Sequence, residues 1–213
     1  MNEIIRYLRV LEGVWSIFAY GFVLVIFIYL SLSFIKREWL CIEIKPLIHQ
    51  LTLYMLFGPT GEEVVNSMWR LATGASLWEY RLYPLHGGDI SVFFFQVWGI
   101  FGFYTYLRAK AFPMFGQGGG RIAITLLLGF EAIFLELLVN IPYYAIFGDY
   151  IFDYFPENLG VFSHFSCLQV IPFYIMIGLT TRRLIHIQEA SGYIHLKVTV
   201  GFYLMVLVAY ILH

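Results

Sequence analysis

Long apolar runs alternate with short polar connections along the whole chain, and the runs are long enough to be membrane helices. A helix needs about 20 largely apolar residues to cross a bilayer. Six runs approach that length, at about 14–34, 47–71, 90–107, 122–147, 159–179 and 198–212. The first is the cleanest and the last the shortest. The second carries Gly58-Pro59, Gly61, His49, Glu62 and Glu63, while Pro142 and Pro172 fall in the fourth and fifth. The pattern predicts an all-α integral membrane protein with about six transmembrane helices, residues 1–213 forming one polytopic membrane domain.

A polar signature interrupts these runs twice. Glu62, Val65, Asn66, Gly74, Trp78, Glu79 and Tyr80 recur 74 residues later as Glu136, Val139, Asn140, Gly148, Phe152, Asp153 and Tyr154. A carboxylate inside a membrane segment costs about 2.5–3.5 kcal/mol on insertion scales. Meeting that cost twice at matching positions predicts a site built from a duplicated unit. Spans two and three match spans four and five, and an offset of two spans preserves direction, so the expected repeat is parallel. Inverted repeats are the form common in secondary transporters.

Basic residues set the expected orientation, because they concentrate on the inner side. Lys36, Arg37, Lys45, Arg108, Lys110, Arg121, Arg182, Arg183 and Lys197 fall in one set of connections, against Arg6, Arg9, Arg70 and Arg81 in the other. Both termini are therefore expected outside, in a plasma or inner membrane or an endoplasmic reticulum. The loop after span four holds Asp149, Asp153 and Glu157 and no Lys or Arg. The N-terminal run is too long for a signal-peptide core.

Composition agrees: 60% of residues are hydrophobic and 13% charged, against about 25% charged in soluble domains. A net charge of −1 gives no basic surface for nucleic acid. Cys41 and Cys167 match no redox or metal spacing.

Residues four apart share a helix face, so Glu62 and Asn66 point one way, as do Glu136 and Asn140. An Asn amide is expected to hold the carboxyl next to it. A carboxyl withdrawn from water favours its neutral form and can then serve as an acid catalyst. The opposing reading is structural, with Glu and Asn hydrogen-bonding between helices. Glu63 lies about 100° round the helix from Glu62, and Glu131 about 140° from Glu136. Candidate partners for Glu131 are His164, Gln96 or span one. The outer loops, with Trp78, Tyr80, Tyr83 and His86 in one and Tyr150, Phe152 and Tyr154 in the other, are expected to be partly buried caps. Glu79 and Asp153 would fold back over the Glu/Asn pairs; the alternative is a plain aromatic belt with solvated acids.

His86 and His164 are candidate proton shuttles. No metal-ligand spacing joins them to His49, His186 or His195, so neither metal nor cofactor is expected. The run Gln117-Gly118-Gly119-Gly120 lacks the context of a phosphate loop. Aromatic residues make up 20% of the chain. Clusters such as Phe93-Phe94-Phe95 and Trp98 would line a chamber for an isoprenoid chain and stabilise a cation; the opposing reading is aromatic-rich packing between helices.

Pro59-Thr60-Gly61-Glu62-Glu63 resembles the Pro-x-Glu-Glu motif of the small membrane lycopene cyclases, with one residue more and no second copy of the proline. Those proteins are short, helical and duplicated, and the resemblance implies an apolar isoprenoid substrate. Small membrane terpene cyclases are similar in size and in their use of acids.

The sequence therefore predicts a membrane-embedded enzyme acting by acid catalysis on a lipid or isoprenoid substrate, through cyclisation, isomerisation or hydration. Glu62 and Glu136 would give the proton, and Glu79, Asp153 or His86 would take it back. Asn66, Asn140, Trp78, Tyr80, Tyr154 and His86 would contact the substrate. A proton- or cation-coupled transporter or channel, and a non-catalytic subunit or assembly factor, are the alternatives. The bilayer is the expected partner, and an oligomer is left open.

Overall fold

The computed structural model describes residues 2–112, 121–155, 160–162 and 164–190, and beyond them only positions 197, 200, 201, 204, 205 and 208. The glycine run at 117–120, Glu157, His195, most of the sixth apolar segment and the side chain of His186 lie outside the described residues.

Among those residues the chain is mostly helical. The helices are α1 (Asn2–Lys36), α2 (Ile44–Thr73), α3 (Phe94–Ala111), α4 (Arg121–Phe147) and α5 (Ile171–Ala190). Two stretches are long and apolar enough to cross a membrane, Gly13–Lys36 in α1 and Leu127–Phe147 in α4. Helix α2 packs on α3 and α5, α1 packs on α3, and α4 packs on α5.

The expectation of an all-α chain needs amendment. Among the described residues, six short strands, β1 (Trp78–Tyr80), β2 (Pro84–Leu85), β3 (Ile90–Ser91), β4 (Phe152–Tyr154), β5 (Gly160–Val161) and β6 (Ser166–Cys167), form three two-stranded sheets. In them β1 pairs with β4, β2 with β3, and β5 with β6, each antiparallel. The fifth helix accordingly begins at Ile171 instead of about 159, because Ser166 and Cys167 are held in a ladder with Gly160 and Val161. Pro172 thus falls in the first turn of α5, where a missing N–H costs nothing. Arg182 and Arg183 lie within α5, and Arg108 and Lys110 within α3, not in connecting loops.

Two glycines of the recurring signature end helices. Gly74 takes φ +80° and returns its N–H to Arg70 O at 2.9 Å; Gly148 takes φ +74° and returns its N–H to Tyr144 O at 2.8 Å. Left-handed backbone at a helix C-terminus favours glycine, which has no Cβ to clash. Both helices therefore stop at the end where β1 and β4 pair. Gln96 Nε2 donates to Ile17 O at 2.6 Å, which ties the early part of α1 to the start of α3 at this end.

Polarity is distributed inside out. Phe22, Phe34, Leu71, Phe134 and Met176 are exposed on the helix exteriors, whereas Glu62, Asn66, Asp89, Glu136 and Asn140 are buried.

Candidate functional site

Asparagine side chains position the strands. Asn66 donates through Nδ2 to Trp78 O at 3.1 Å and accepts from Leu77 N–H at 2.7 Å. Asn140 donates to Phe152 O at 2.6 Å and accepts from Ile151 N–H at 3.0 Å. Each amide thereby satisfies a buried backbone donor and acceptor. This differs from the expectation that the amides hold Glu62 and Glu136. The geometric reason is that the chain folds back directly over the end of each helix and presents unpaired backbone groups there. Asn66 also donates to Asp89 Oδ1 at 2.6 Å, and Asp89 pairs with Arg70.

Once clamped, each strand alternates its side chains between two faces. Trp78 and Tyr80 of β1, and Phe152 and Tyr154 of β4, turn inward and are buried, while Glu79 and Asp153 turn away. The register places Trp78 opposite Tyr154, Glu79 opposite Asp153 and Tyr80 opposite Phe152.

The inward tyrosines reach the glutamates. Tyr80 O–H donates to Glu62 Oε1 and Tyr154 O–H to Glu136 Oε1, both at 2.6 Å. Burial first, and then the neighbouring Glu62, holds the Tyr80 phenol well above its ordinary range; burial and Glu136 do the same for Tyr154. Both phenols therefore keep their protons and remain donors. Glu136 gains two further donors, Tyr174 O–H on Oε1 at 2.5 Å and Ser166 O–H on Oε2. Glu62 differs: its Oε2 has no hydrogen-bond partner, and neither has Trp98 Nε1. The Trp98 indole N–H approaches the Glu62 carboxyl closely enough to act as a hydrogen-bonding neighbour, but without the geometry of a formed bond.

Glu62 and Glu136 open on one small cavity of about 30 Å³ whose remaining walls are mostly apolar and aromatic, including Trp78, Trp98, Phe101, Phe173 and Tyr174. Phe101 and Tyr174 stack with centroids 5.3 Å apart and planes at 8°, and Trp98 lies 5.5 Å from Phe101. A space of this size holds one or two waters. The glycines that interrupt the second apolar run make the walls fit. A Cβ on Gly58 would lie 2.0 Å from the Trp98 ring, and one on Gly61 would lie 2.4 Å from the Phe173 ring.

Other residues singled out from sequence lie elsewhere. Glu79 pairs with Arg81 at 3.2 Å, and Arg81 pairs with Asp153 at 3.0 Å. His164 Nδ1 lies 3.0 Å from Asp153 Oδ1, and His86 lies 3.7 Å from Glu63. None of these lines the cavity. Glu131 meets Arg108, Nη2 to Oε1 at 2.8 Å and Nε to Oε2 at 2.5 Å, and none of the partners expected for it. Among the described residues no group of three or more His, Cys, Asp or Glu could hold a metal.

Sequence reasoning missed Tyr174 and Ser166, and named Trp98 only as part of an aromatic lining, with no polar role. The first two bond Glu136 from 38 and 30 positions away, and no local pattern encodes those distances. The strands did have a signal: Trp78-Glu79-Tyr80 and Phe152-Asp153-Tyr154 each alternate apolar, acidic, aromatic, which is the period of a half-buried strand.

Comparisons with family models, curated proteins and solved structures found no match for this chain.

Proposed function

We propose that this protein is a multi-pass membrane enzyme that uses acid catalysis on an apolar lipid or isoprenoid substrate, by cyclisation, isomerisation or hydration. The observation that carries the reading is that Glu62 and Glu136, from different helices, face one aromatic-walled cavity. Buried carboxyls are costly without partners; Glu136 takes three donors and Glu62 one, which leaves Glu62 Oε2 as the carboxyl oxygen still unbonded at the cavity. Aromatic faces around that space suit a cationic intermediate. Inward-facing acids favour an enzyme over a subunit that would present its acids to a partner.

The proposal includes six spans, with spans two and three and spans four and five as a parallel internal repeat and both termini outside. Support comes from the matched asparagine clamps, tyrosine–glutamate bonds and glycine caps. The apolar exteriors of the helices fit lipid better than water, since soluble monomers rarely expose large contiguous apolar patches. The cavity takes only the reacting end of a substrate in its present form, so apolar side chains must part to admit the remainder.

Mass spectrometry of lipid extracts tests this, using cells that express wild type, Glu62→Gln or Glu136→Gln at matched membrane abundance. Glutamine keeps shape and hydrogen bonding but cannot donate an acid proton. A lipid product made by wild type and lost in both variants is the expected result. Identical lipid profiles in a host that makes isoprenoid precursors would overturn it.

A further inference from the structure

Two polar groups on the cavity wall are buried without a well-formed hydrogen bond, although they lie close enough to act on each other. Glu62 is 7% exposed and Trp98 2% exposed; Glu62 Oε2 and Trp98 Nε1 make no hydrogen bond, although both residues line the same cavity. Such groups are rarely left unsatisfied in a native protein, and each calls for an explanation.

The other half of the molecule shows what full satisfaction looks like. Val161 pairs with Ser166 as Leu85 pairs with Ile90, and Tyr174 follows Ser166 by the same eight residues that separate Trp98 from Ile90. Ser166 and Tyr174 both donate to Glu136. At the corresponding places Ile90 has no donor to offer, and Trp98 offers one that makes no hydrogen bond in return. The unfilled hydrogen-bonding capacity of the cavity is therefore concentrated on the Glu62 side.

We infer that this side of the cavity receives the hydroxyl end of an apolar alcohol, which accepts a hydrogen bond from Trp98 Nε1 and lies against Glu62 Oε2. This deepens, and rests on, the reading of the cavity as a lipid site. An indole N–H only donates, while a carboxyl oxygen accepts when ionised and donates when it carries the proton. A hydroxyl both accepts and donates, so it satisfies the pair in either state of Glu62. A hydrocarbon or a bare alkene satisfies neither group. Sites built to bond a hydroxyl discriminate strongly against analogues that lack it, because their own buried groups are left unpaired. The tail would lie between side chains that no hydrogen bond fixes, such as Val97, Ile100, Leu135 and Val139.

The test is photo-crosslinking of the full chain in detergent with a diazirine analogue of farnesol. Unlabelled farnesol and farnesane, the hydrocarbon without the hydroxyl, serve as competitors. Farnesol is expected to displace the probe at a concentration at least about tenfold below farnesane, the worth of one good hydrogen bond. Trp98→Phe keeps the ring and removes the N–H, and is expected to abolish that preference; Trp39→Phe, at an exposed position, is expected to keep it. Equal competition by farnesane and farnesol on the wild type would overturn the inference whether or not the Trp98 variant folds. So would an unchanged preference in Trp98→Phe, which would mean that Trp98 and Glu62 simply close on each other. If lipid products depend on Glu62 and Glu136 yet farnesane competes equally, the enzyme reading stands and this inference falls. If farnesol is preferred and no product depends on either glutamate, this inference stands and the enzyme reading falls.

Discussion

Asn66 and Asn140 stand 74 positions apart in sequence and make the same two backbone hydrogen bonds, to groups 11 and 12 residues downstream. Each bond satisfies a group shut off from water. Replacing Asn140 by Ala leaves the Ile151 N–H and the Phe152 carbonyl unpaired in a buried setting. Unsatisfied buried groups cost about 1–3 kcal/mol each, so thermal unfolding in detergent should show a loss of roughly 2–4 kcal/mol. Asn66→Ala should cost at least as much, since Asn66 also holds Asp89. Thr73→Ala, at an exposed site, should shift stability by no more than about 0.5 kcal/mol.

The two tyrosine–glutamate bonds have equal length but unequal backing. Tyr80→Phe removes the one donor that Glu62 has in good geometry, whereas Tyr154→Phe leaves Glu136 with Tyr174 and Ser166. Product formation in the lipid-extract assay should fall at least about tenfold in Tyr80→Phe, the worth of roughly 1.4 kcal/mol, and by a smaller factor in Tyr154→Phe. Equal losses would mean that the two glutamates are used alike.

Glycine is required at position 58 for space and at position 74 for backbone conformation. Gly58→Ala drives a methyl into the Trp98 ring, and overpacking of this kind costs about 1–3 kcal/mol. Gly74→Ala meets no atom within 4 Å but must hold φ +80°, at a cost of about 1 kcal/mol. Both variants should melt earlier than wild type. Only Gly58→Ala should also change the near-ultraviolet circular dichroism that reports tryptophan packing.

Thiol labelling should separate the two cysteines. Cys41 is exposed and Cys167 buried. Burial first, and the nearby Glu136 second, pushes the Cys167 thiol up to about 12. The thiolate is the reactive form, so a maleimide at pH 8 should modify Cys41 and leave Cys167 untouched until the chain is denatured. The same shift has a sign for stability. Between an ordinary thiol value near 9 and the folded value near 12, the folded chain keeps a proton that the unfolded chain has lost. This contribution to stability is therefore fully present below about pH 9 and declines as pH rises. Labelling of Cys167 at pH 8 as fast as Cys41 would show that the β6 region opens readily.

Arg81 bridges Glu79 and Asp153 across paired strands on the outer face. Half-exposed pairs are weak and screened by salt, so Arg81→Ala should cost less than about 1 kcal/mol, and less still in high salt. Glu79→Gln should leave product formation within about twofold of wild type, because the side chain does not line the cavity. A loss comparable to that of Glu62→Gln would return Glu79 to the chemistry.

The sequence by itself determined that the chain is mostly helical and which residues were worth watching, while the fifth helix starts later than its apolar run, at Ile171. Apolar runs long enough for a bilayer fix helices, since backbone polar groups removed from water must pair within their own segment. A costly acid recurring with the same neighbours marked Glu62, Glu136, Asn66 and Asn140, and all four are buried together with Tyr80 and Tyr154. Which partner each side chain takes was decided only in the folded chain. Asn140 serves Ile151 and Phe152, while Glu136 is served by Ser166 and Tyr174, because helix ends and returning strands create local shortages of donors and acceptors. Strand alternation turned the aromatics inward and the acids outward, and packing of α5 beside α2 and α4 brought Tyr174 to the cavity. Periodicity reports one element at a time; a site assembled from four helices and two strands depends on separations in space that the order of residues does not contain.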